Sequence, residues 1–301
     1  GLSAEEQLIV ELINRARLDP VAEQSLSGDV LVRASDANPD QALAVLEPLA
    51  DAARLHSQDM DNREFFDHTN PDGEGPTQRA QEQGYNDSWV GENINYIAWS
   101  TTNFNHEDRA ENHHENLWKS DGHHTNMLGD NYNVIGVGYD YGDHNGFVGA
   151  TFNTEKFSTD GNTYLTGVVI DDTDGDDFYD MGEGQGDVRI TAYSGEDVYT
   201  TATWASGGYT LALPAGSYRV VFEGGEFNGT YETDVVIGNE NVKLDVIEEN
   251  GAVMASVEVA QVQAMRDPGE ALMDDLMTGP ALAEDDSHTG MVEGDEGIFA
   301  L

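Results

Sequence analysis

Apolar residues mark out the first part of the chain as helical. Leu8, Ile9, Leu12, Ile13 and Ala16 recur at helical spacing and give one apolar face. Ser3 with Glu6 three residues on forms a capping box that predicts the helix start, and Asp19-Pro20 predicts its stop. The polar stretch to Asp40 reads as loop with a short helix. Helical period returns from Leu43 to Arg63, with Leu49, Ala53, His56 and Met60 on one side. On that face His56 reads as a satisfied core histidine. Thr77 to Gly84 predicts a third helix, closed by Gly84 as its C-terminal cap, and Asp108 to Lys119 a fourth. Glu92, directly after Gly91, reads as part of a turn. Alternation over Asn133 to Tyr141 predicts a strand, with Gly146 to Phe152 as hairpin partner and Gly142 to Asn145 as the turn.

The pattern changes at Ser158 to Asn162, where helical periodicity stops. Short β-rich runs follow at Thr163–Ile170, Val188–Tyr193, Thr200–Trp204, Tyr209–Leu213, Ser217–Glu223, Tyr231–Ile237 and Val242–Ile247. Seven short strands in so little chain predict an antiparallel sandwich. Beyond residue 250 the chain is acidic and carries little strand pattern. Ala260 to Met277 reads as one or two helices broken at Asp267-Pro268-Gly269. Glu293 to Leu301 places acids before a terminal apolar group, the general character of a type I secretion signal. The reading divides the chain at 1–158, 159–250 and 251–301. It begins at Gly1, which points to processing.

Charge narrows the partners. Fifty-eight acidic and 13 basic residues give a net charge of −45, and lysine occurs only at Lys119, Lys156 and Lys243. Such a field repels nucleic acid and anionic membranes and attracts cations. It suits a protein in salty water or an exported one. With no cysteine in the chain, disulfides, Cys-based zinc sites and Cys nucleophiles are excluded. No apolar run reaches the length of a membrane-spanning helix.

Four short pieces concentrate the candidate chemistry: Phe65-Phe66-Asp67-His68, Gly91-Glu92-Asn93-Ile94, His114-Glu115-Asn116-Leu117-Trp118, and Ser120 to Leu128 with His123 and His124. Imidazoles and carboxylates brought together form either a metal set or an acid/base set. In this order, with the opening Leu12-Ile13-Asn14-Arg15-Ala16-Arg17, His56-Ser57-Gln58-Asp59-Met60 and Ile135-Gly136-Val137-Gly138, residues 3–157 resemble the bacterial branch of the CAP superfamily, the cysteine-rich secretory, antigen 5 and pathogenesis-related proteins. The resemblance implies a three-layer α-β-α sandwich with a cleft tetrad of two His and two Glu able to hold a divalent cation. His68, Glu92 and His123 match three of its places. For the fourth, Ser120 stands where many relatives carry Glu, Glu115 precedes Trp118, and His124 competes as a ligand next door. Zn²⁺ or Mg²⁺ in that cleft is the expectation.

The second motif is local. Asp172, Asp174, Asp176, Asp180 and Glu183 place oxygens at loop positions 1, 3, 5, 9 and 12, with the Phe178 carbonyl at 7, the spacing of a one-loop Ca²⁺ site. Asp177 replaces the usual Gly at position 6. No helix precedes the loop, so this is no EF-hand pair. The loop, with the later Leu213-Pro214-Ala215-Gly216-Ser217-Tyr218, resembles the Ca²⁺-binding Cna-B/SdrD-type sandwich domains of bacterial surface proteins. The resulting fold class is α+β: a CAP sandwich followed by an all-β antiparallel, prealbumin-like sandwich. The leading functional reading is a secreted extracellular protein that binds a lipid, glycan or protein ligand beside its cleft cation, with no nucleic acid and no membrane insertion. The alternatives are a metal-dependent, peptidase-like hydrolase with Glu92 as general base and His68 and His123 as ligands, and a calcium-dependent matrix or surface scaffold.

Overall fold

The first helix starts where its capping box predicts. Ser3 Oγ accepts from the Glu6 amide at 3.2 Å, and the Glu6 carboxylate accepts from the Ser3 amide at 2.9 Å. Helix α1 spans Ala4–Leu18. Pro20 ends it and also opens α2 (Pro20–Leu26), because a first helical position needs no N–H and Asp19 caps the Ala22 amide at 2.9 Å. The computed structural model describes residues 1–27, 37–259, 291–293 and 296–300. The helices expected over 260–277 lie outside the described residues.

A six-stranded sheet forms the centre of the first half, in the order β1-β3-β4-β2-β14-β13. Its strands are β1 (Ala44–Val45), β2 (Gly91–Trp99), β3 (Val134–His144), β4 (Phe147–Ser158), β13 (Met291–Glu293) and β14 (Glu296–Ala300). Helices α3 (Glu47–Asn62), α4 (Pro76–Glu82), α5 (His106–Trp118) and α6 (Asp121–Met127) complete this half. The β3–β4 turn is Asn145-Gly146, with φ of 50° and 85°, the left-handed pair that a two-residue hairpin favours. It lies later than expected. Gly142 stays in the strand, where an added Cβ would sit 2.1 Å from the Asp61 carboxylate.

Strand alternation assigns the two helical layers. On β3, Ile135, Val137 and Tyr139 join Leu8, Ile9, Leu12 and Ile13 of α1 in one buried cluster with Trp118 of α5. The intervening Gly136 and Gly138 point the other way. A Cβ on Gly136 would meet the Leu49 backbone at 2.1 Å, and one on Gly138 the Arg54 backbone at 2.1 Å. These glycines let α3 lie directly on the sheet. The result is α1 and α5 on one face and α3 on the other, a three-layer arrangement.

Each of the seven expected β-runs of the second half becomes a strand. They are β5 (Tyr164–Asp171), β6 (Arg189–Ser194), β7 (Asp197–Ala202), β8 (Gly208–Ala212), β9 (Gly216–Glu223), β10 (Thr230–Ile237) and β11 (Val242–Glu249), and an eighth, β12 (Ala252–Glu258), follows the Asn250-Gly251 turn. Two four-stranded sheets result, β10-β9-β6-β7 and β12-β11-β5-β8. Leu165, Val169 and Leu244 of one sheet and Ile190, Val220 and Phe222 of the other share one core. The sandwich is not wholly antiparallel. β11 runs parallel to β5, because the chain crosses to the opposite sheet and back between them, the long connection a parallel pair requires.

The two halves share buried structure. Val168, Ile170, Tyr179 and Ile247 pack into the same cluster as the α1 face. Lys243 of β11 pairs with Glu11 of α1 at 2.8 Å. Asn241 donates to the Ala42 carbonyl at 2.9 Å and the Asn133 carbonyl at 2.6 Å. No described helix is long and apolar enough to cross a membrane.

Candidate functional site

Glu92 is the second residue of β2, not part of a turn. It pairs in register with Lys156 on β4, which in turn faces Gly136 on β3. All three therefore address the α3 layer, and Gly136 leaves room for two long side chains under that helix. Lys156 Nζ donates to Glu92 Oε2 at 2.5 Å. Arg79 of α4 donates through Nη2 to both carboxylate oxygens at 3.0 and 2.8 Å, and through Nη1 to the His68 and Glu74 carbonyls. Arg79 thereby ties the loop that carries His68 to the sheet. His68 Nδ1 lies 2.9 Å from Glu92 Oε1. Phe65 and Phe66, just before it, anchor that loop on Ile94, Tyr96 and Phe152.

Burial alone would raise the Glu92 pKa. Lys156, His68, His56 and Arg79 outweigh it and hold the carboxyl well below the ordinary range. Glu92 is thus an anion at neutral pH that is already paired with two cations, and a poor general base. It also fixes the imidazole of His68. With the ring N–H donated to Glu92, the other ring nitrogen of His68 keeps its lone pair. The His68 side chain is 40% exposed while Glu92, Arg79 and Lys156 are 1%, 7% and 0% exposed, so His68 is the member of this cluster that a solute can reach.

The remaining expected cleft residues belong to the opposite layer. Asn93, the neighbour of Glu92, points to the α5/α6 side and donates to the His123 carbonyl at 3.2 Å. His123 Nδ1 lies 2.6 Å from Ser120 Oγ, so the serine standing in for a carboxylate does engage its histidine. Glu115 pairs with Lys119 at 3.0 Å on the outer side of α5. His124 is buried, with Nδ1 3.1 Å from the Trp118 carbonyl and its ring 4.1 Å from the indole centroid. The structure joins His68 to Glu92 and does not join Glu115 to them. Among the described residues, no set of three His, Asp or Glu ligand atoms within 4.8 Å includes His68, Glu92, Glu115 or His123. At Glu92, Arg79 and Lys156 already donate to the carboxylate oxygens.

Sequence reasoning missed Arg79, Lys156 and the true state of His56. The rarity of lysine was the available signal: a lone Lys on an alternating strand of so acidic a chain has a specific carboxylate to neutralise. His56 is buried as expected but not satisfied. Neither ring nitrogen has a hydrogen-bond partner, and Nε2 stops 3.8 Å from Glu92. Burial, with help from Arg79 and Lys156, lowers its pKa to about 3.

The acidic loop follows β5 directly. Asp172 accepts from the Gly175 amide at 2.7 Å and the Asp177 amide at 3.0 Å. Glu183 at the far end accepts from the Thr173 amide at 2.7 Å and from its hydroxyl at 2.8 Å, which closes the loop. Asp177 adopts φ of 63°, the left-handed turn that the sixth position demands. Carboxylate oxygens of Asp172, Asp174 and Asp176 lie within 4.8 Å of one another, as do those of Asp174, Asp180 and Glu183. Burial and then the charges of Asp176, Glu107, Glu183 and Asp174 push Asp180 up to about 6. An all-oxygen donor set under such repulsion suits a hard divalent cation. The loop also touches the first half. Arg15 of α1 stacks over the Phe178 ring at 4.8 Å, and the Met181 amide donates to Glu107 of α5 at 2.9 Å.

Residues 10–157 match the model of CAP, the cysteine-rich secretory protein family. The protein YkwD of Bacillus subtilis (strain 168) is 30% identical over 139 residues, which are 46% of this chain and 44% of YkwD. An extracellular protein containing an SCP domain from Bacillus anthracis is similar at 24% identity and a TM-score of 0.34, over 51% of this chain and 39% of that one. A 5-hydroxyisourate hydrolase from Klebsiella pneumoniae is similar at 19% identity and a TM-score of 0.26, over 32% of this chain and 99% of its own. The chain thus spans under half the length of YkwD and of the Bacillus anthracis protein.

Proposed function

Taking residues 10–157 as the CAP domain their family match indicates, we propose that this chain is an extracellular binding protein whose CAP cleft is held in place by a calcium-loaded β-sandwich. The observation that carries the reading is the convergence of Asp172, Asp174, Asp176, Asp180 and Glu183 in a loop whose other side is fastened to α1 and α5. Ca²⁺ there would supply positive charge to a cluster of carboxylates and keep the loop in shape. The shaped loop would then hold Phe178, Tyr179 and Met181 against the CAP helices. The domain limit at residue 158 belongs to the same proposal, and the second limit moves from 250 to beyond β12, which pairs with β11 as far as Glu258.

The ligand face in this reading centres on His68, the exposed imidazole that Glu92 orients. A cleft cation is no part of it, and Glu92 is too well paired to serve as a base. A secreted location is part of the same proposal, and the match to the cysteine-rich secretory protein family supports it. Isothermal titration with CaCl₂ tests the proposal. One Ca²⁺ should bind to the full chain, Asp174→Asn with Asp176→Asn should abolish it, and saturation at a hundred times Kd should stabilise the fold by about 2.7 kcal/mol. Absence of Ca²⁺ uptake, or uptake that leaves the melting temperature unmoved, would refute it. Calcium-dependent growth in light scattering would move the reading to a scaffold.

A further inference from the structure

One sheet of the β-sandwich is turned toward the first half of the chain and the other away from it. Val168 and Ile170 of β5 and Ile247 of β11 pack into the α1 cluster, so the sheet β12-β11-β5-β8 faces inward. The sheet β10-β9-β6-β7 presents its outer face to solvent, with Val236 70% and Val198 57% exposed.

The four edge strands of this sandwich differ. β8 runs beside α1, where a Cβ on Gly208 would meet the Gln7 side chain. β10 carries Glu232 and Asp234, charges of the kind that keep an edge from pairing. β12 leads straight into residues 260–290, outside the described ones. Among the described residues β7 pairs only with β6, and without a bulge, from Asp197 opposite Ser194 to Ala202 opposite Arg189. From Val198 to Thr203 it reads Val-Tyr-Thr-Thr-Ala-Thr, with no charge, no Pro and no Gly. A regular strand of β-branched and aromatic residues with an open row of N–H and C=O groups is a template for another strand.

Charge selects the partner. Copies of a chain with net charge −45 repel one another, and they meet most cheaply where that charge is thin. The outer face beside β7 is such a place. Arg189 pairs with Glu223 at 2.6 Å and Arg219 with Glu232 at 2.7 Å. Asp234, opposite Arg219 in register, is the acid left over among the strand positions of that face. Tyr193, under the Arg219 guanidinium, and Val198 carry the same row out to the edge. An edge strand laid antiparallel on its own copy is also self-complementary, because each offers the same donors and acceptors in reversed order.

We propose that β7 is a dimerisation edge, at which two copies of this chain join β7 to β7 antiparallel about a twofold axis through Thr200, and their two four-stranded sheets become one. Thr200 is the middle of the charge-free part of β7. Opposed residues share a face, so Thr200 meets its own copy and Val198 meets Ala202 on the outer side, while Tyr199 meets Thr201 on the inner side. Such β-branched and aromatic pairs favour strand pairing. The acidic loop takes no part, so the calcium reading and this one stand or fall separately.

Sedimentation equilibrium on the full chain in CaCl₂ tests it. The surface charge acts over about 10 Å at about 0.1 M NaCl and about 3 Å at about 1 M, so dimerisation should tighten at least about tenfold between the two. Thr200 is exposed, so Thr200→Glu leaves the fold intact. It sets two carboxylates face to face and should weaken the dimer at least about tenfold, whereas Thr200→Val should keep it. Cross-linking gives a second readout, because the chain has no cysteine. Opposed residues of an antiparallel pair have Cα atoms about 4.5–5.5 Å apart, within reach of a disulfide. Under mild oxidation Thr200→Cys should become a covalent dimer at least about tenfold faster than Val236→Cys on the exposed β10 edge. The proposal is overturned if the chain at about 0.1 mM stays monomeric at the higher salt, if the dimer survives Thr200→Glu, or if the two cysteine variants cross-link at the same rate.

Discussion

Glu92 and Glu155 sit on the same two strands, one residue apart in register, and their carboxyl pKa values are shifted in opposite directions. Glu92 faces α3 with Arg79 and Lys156 beside it. Glu155 faces the other layer and meets only the amides of Asn93 at 3.0 Å and Asn153 at 3.1 Å, so burial pushes it up to about 7. Replacing Glu92 by Gln would leave two buried cations without a counter-charge. Denaturant unfolding of Glu92→Gln at pH 7 should show a loss of about 3–5 kcal/mol. Because the folded pKa of Glu92 is depressed, its contribution is present above the unfolded value of about 4.3 and is lost as pH falls through the folded one. Glu155 has the opposite sign. Its folded pKa is raised, so the folded state holds the extra proton between about 4.3 and 7, and stability declines as pH rises through that window. Glu155→Gln should remove this decline and be more stable than the parent at pH 8. Gln fits because Asn153 Oδ1 is buried with no partner, so a turned Asn153 amide can accept from it. A pH series of chemical melts that shows the same slope in both proteins would exclude Glu155 as its source.

At the scale of elements, the glycines of β3 control where α3 can lie. Gly136→Ala would bring a methyl to 2.1 Å from the Leu49 backbone, and backbone cannot rotate away as a side chain can. Thermal unfolding should reveal a loss of about 1–3 kcal/mol or more. By contrast Gly73→Ala, with open space around it, should cost only the strain of its positive φ. This scale also separates what the sequence makes legible from what it hides. The capping box at Ser3, the seven β-runs and the 172–183 loop are local patterns, and each is complete within a dozen residues. The partner of Glu92 is not: it lies 64 residues away on β4 and is selected by register, which no local pattern records. Gly91 suggested a turn because glycine is common in turns. Here it leaves space instead, since a Cβ would meet the Tyr132 hydroxyl at 2.6 Å. The same limit explains the tetrad. Spacing along the chain could nominate Glu115 and His123 but not tell that Glu92 and its neighbour Asn93 serve opposite layers.

For the whole molecule, the question is how a chain of net charge −45 stays folded. Two of its three lysines are spent inside: Lys156 on Glu92, and Lys243 on Glu11 and Asp245, where those neighbouring carboxylates outweigh the burial and hold the ammonium pKa above its usual value. The surface is left with a large excess of carboxylates whose mutual repulsion acts over a Debye length of about 10 Å at 0.1 M salt and about 3 Å at 1 M. Buried pairs are screened much less than exposed charges. Added NaCl should therefore weaken what opposes folding more than what supports it. The melting temperature should rise steadily from 0.05 M to 1 M NaCl, and Lys243→Met should shift the whole curve without changing its slope. If the acidic loop takes Ca²⁺ as proposed, calcium should add a step at far lower concentration, where sodium only screens. Scanning calorimetry at matched ionic strength separates the two effects. A melting temperature that falls with NaCl would mean that exposed ion pairs such as Arg63 with Asp59 and Asp72, rather than the relief of surface repulsion, set the stability of this protein.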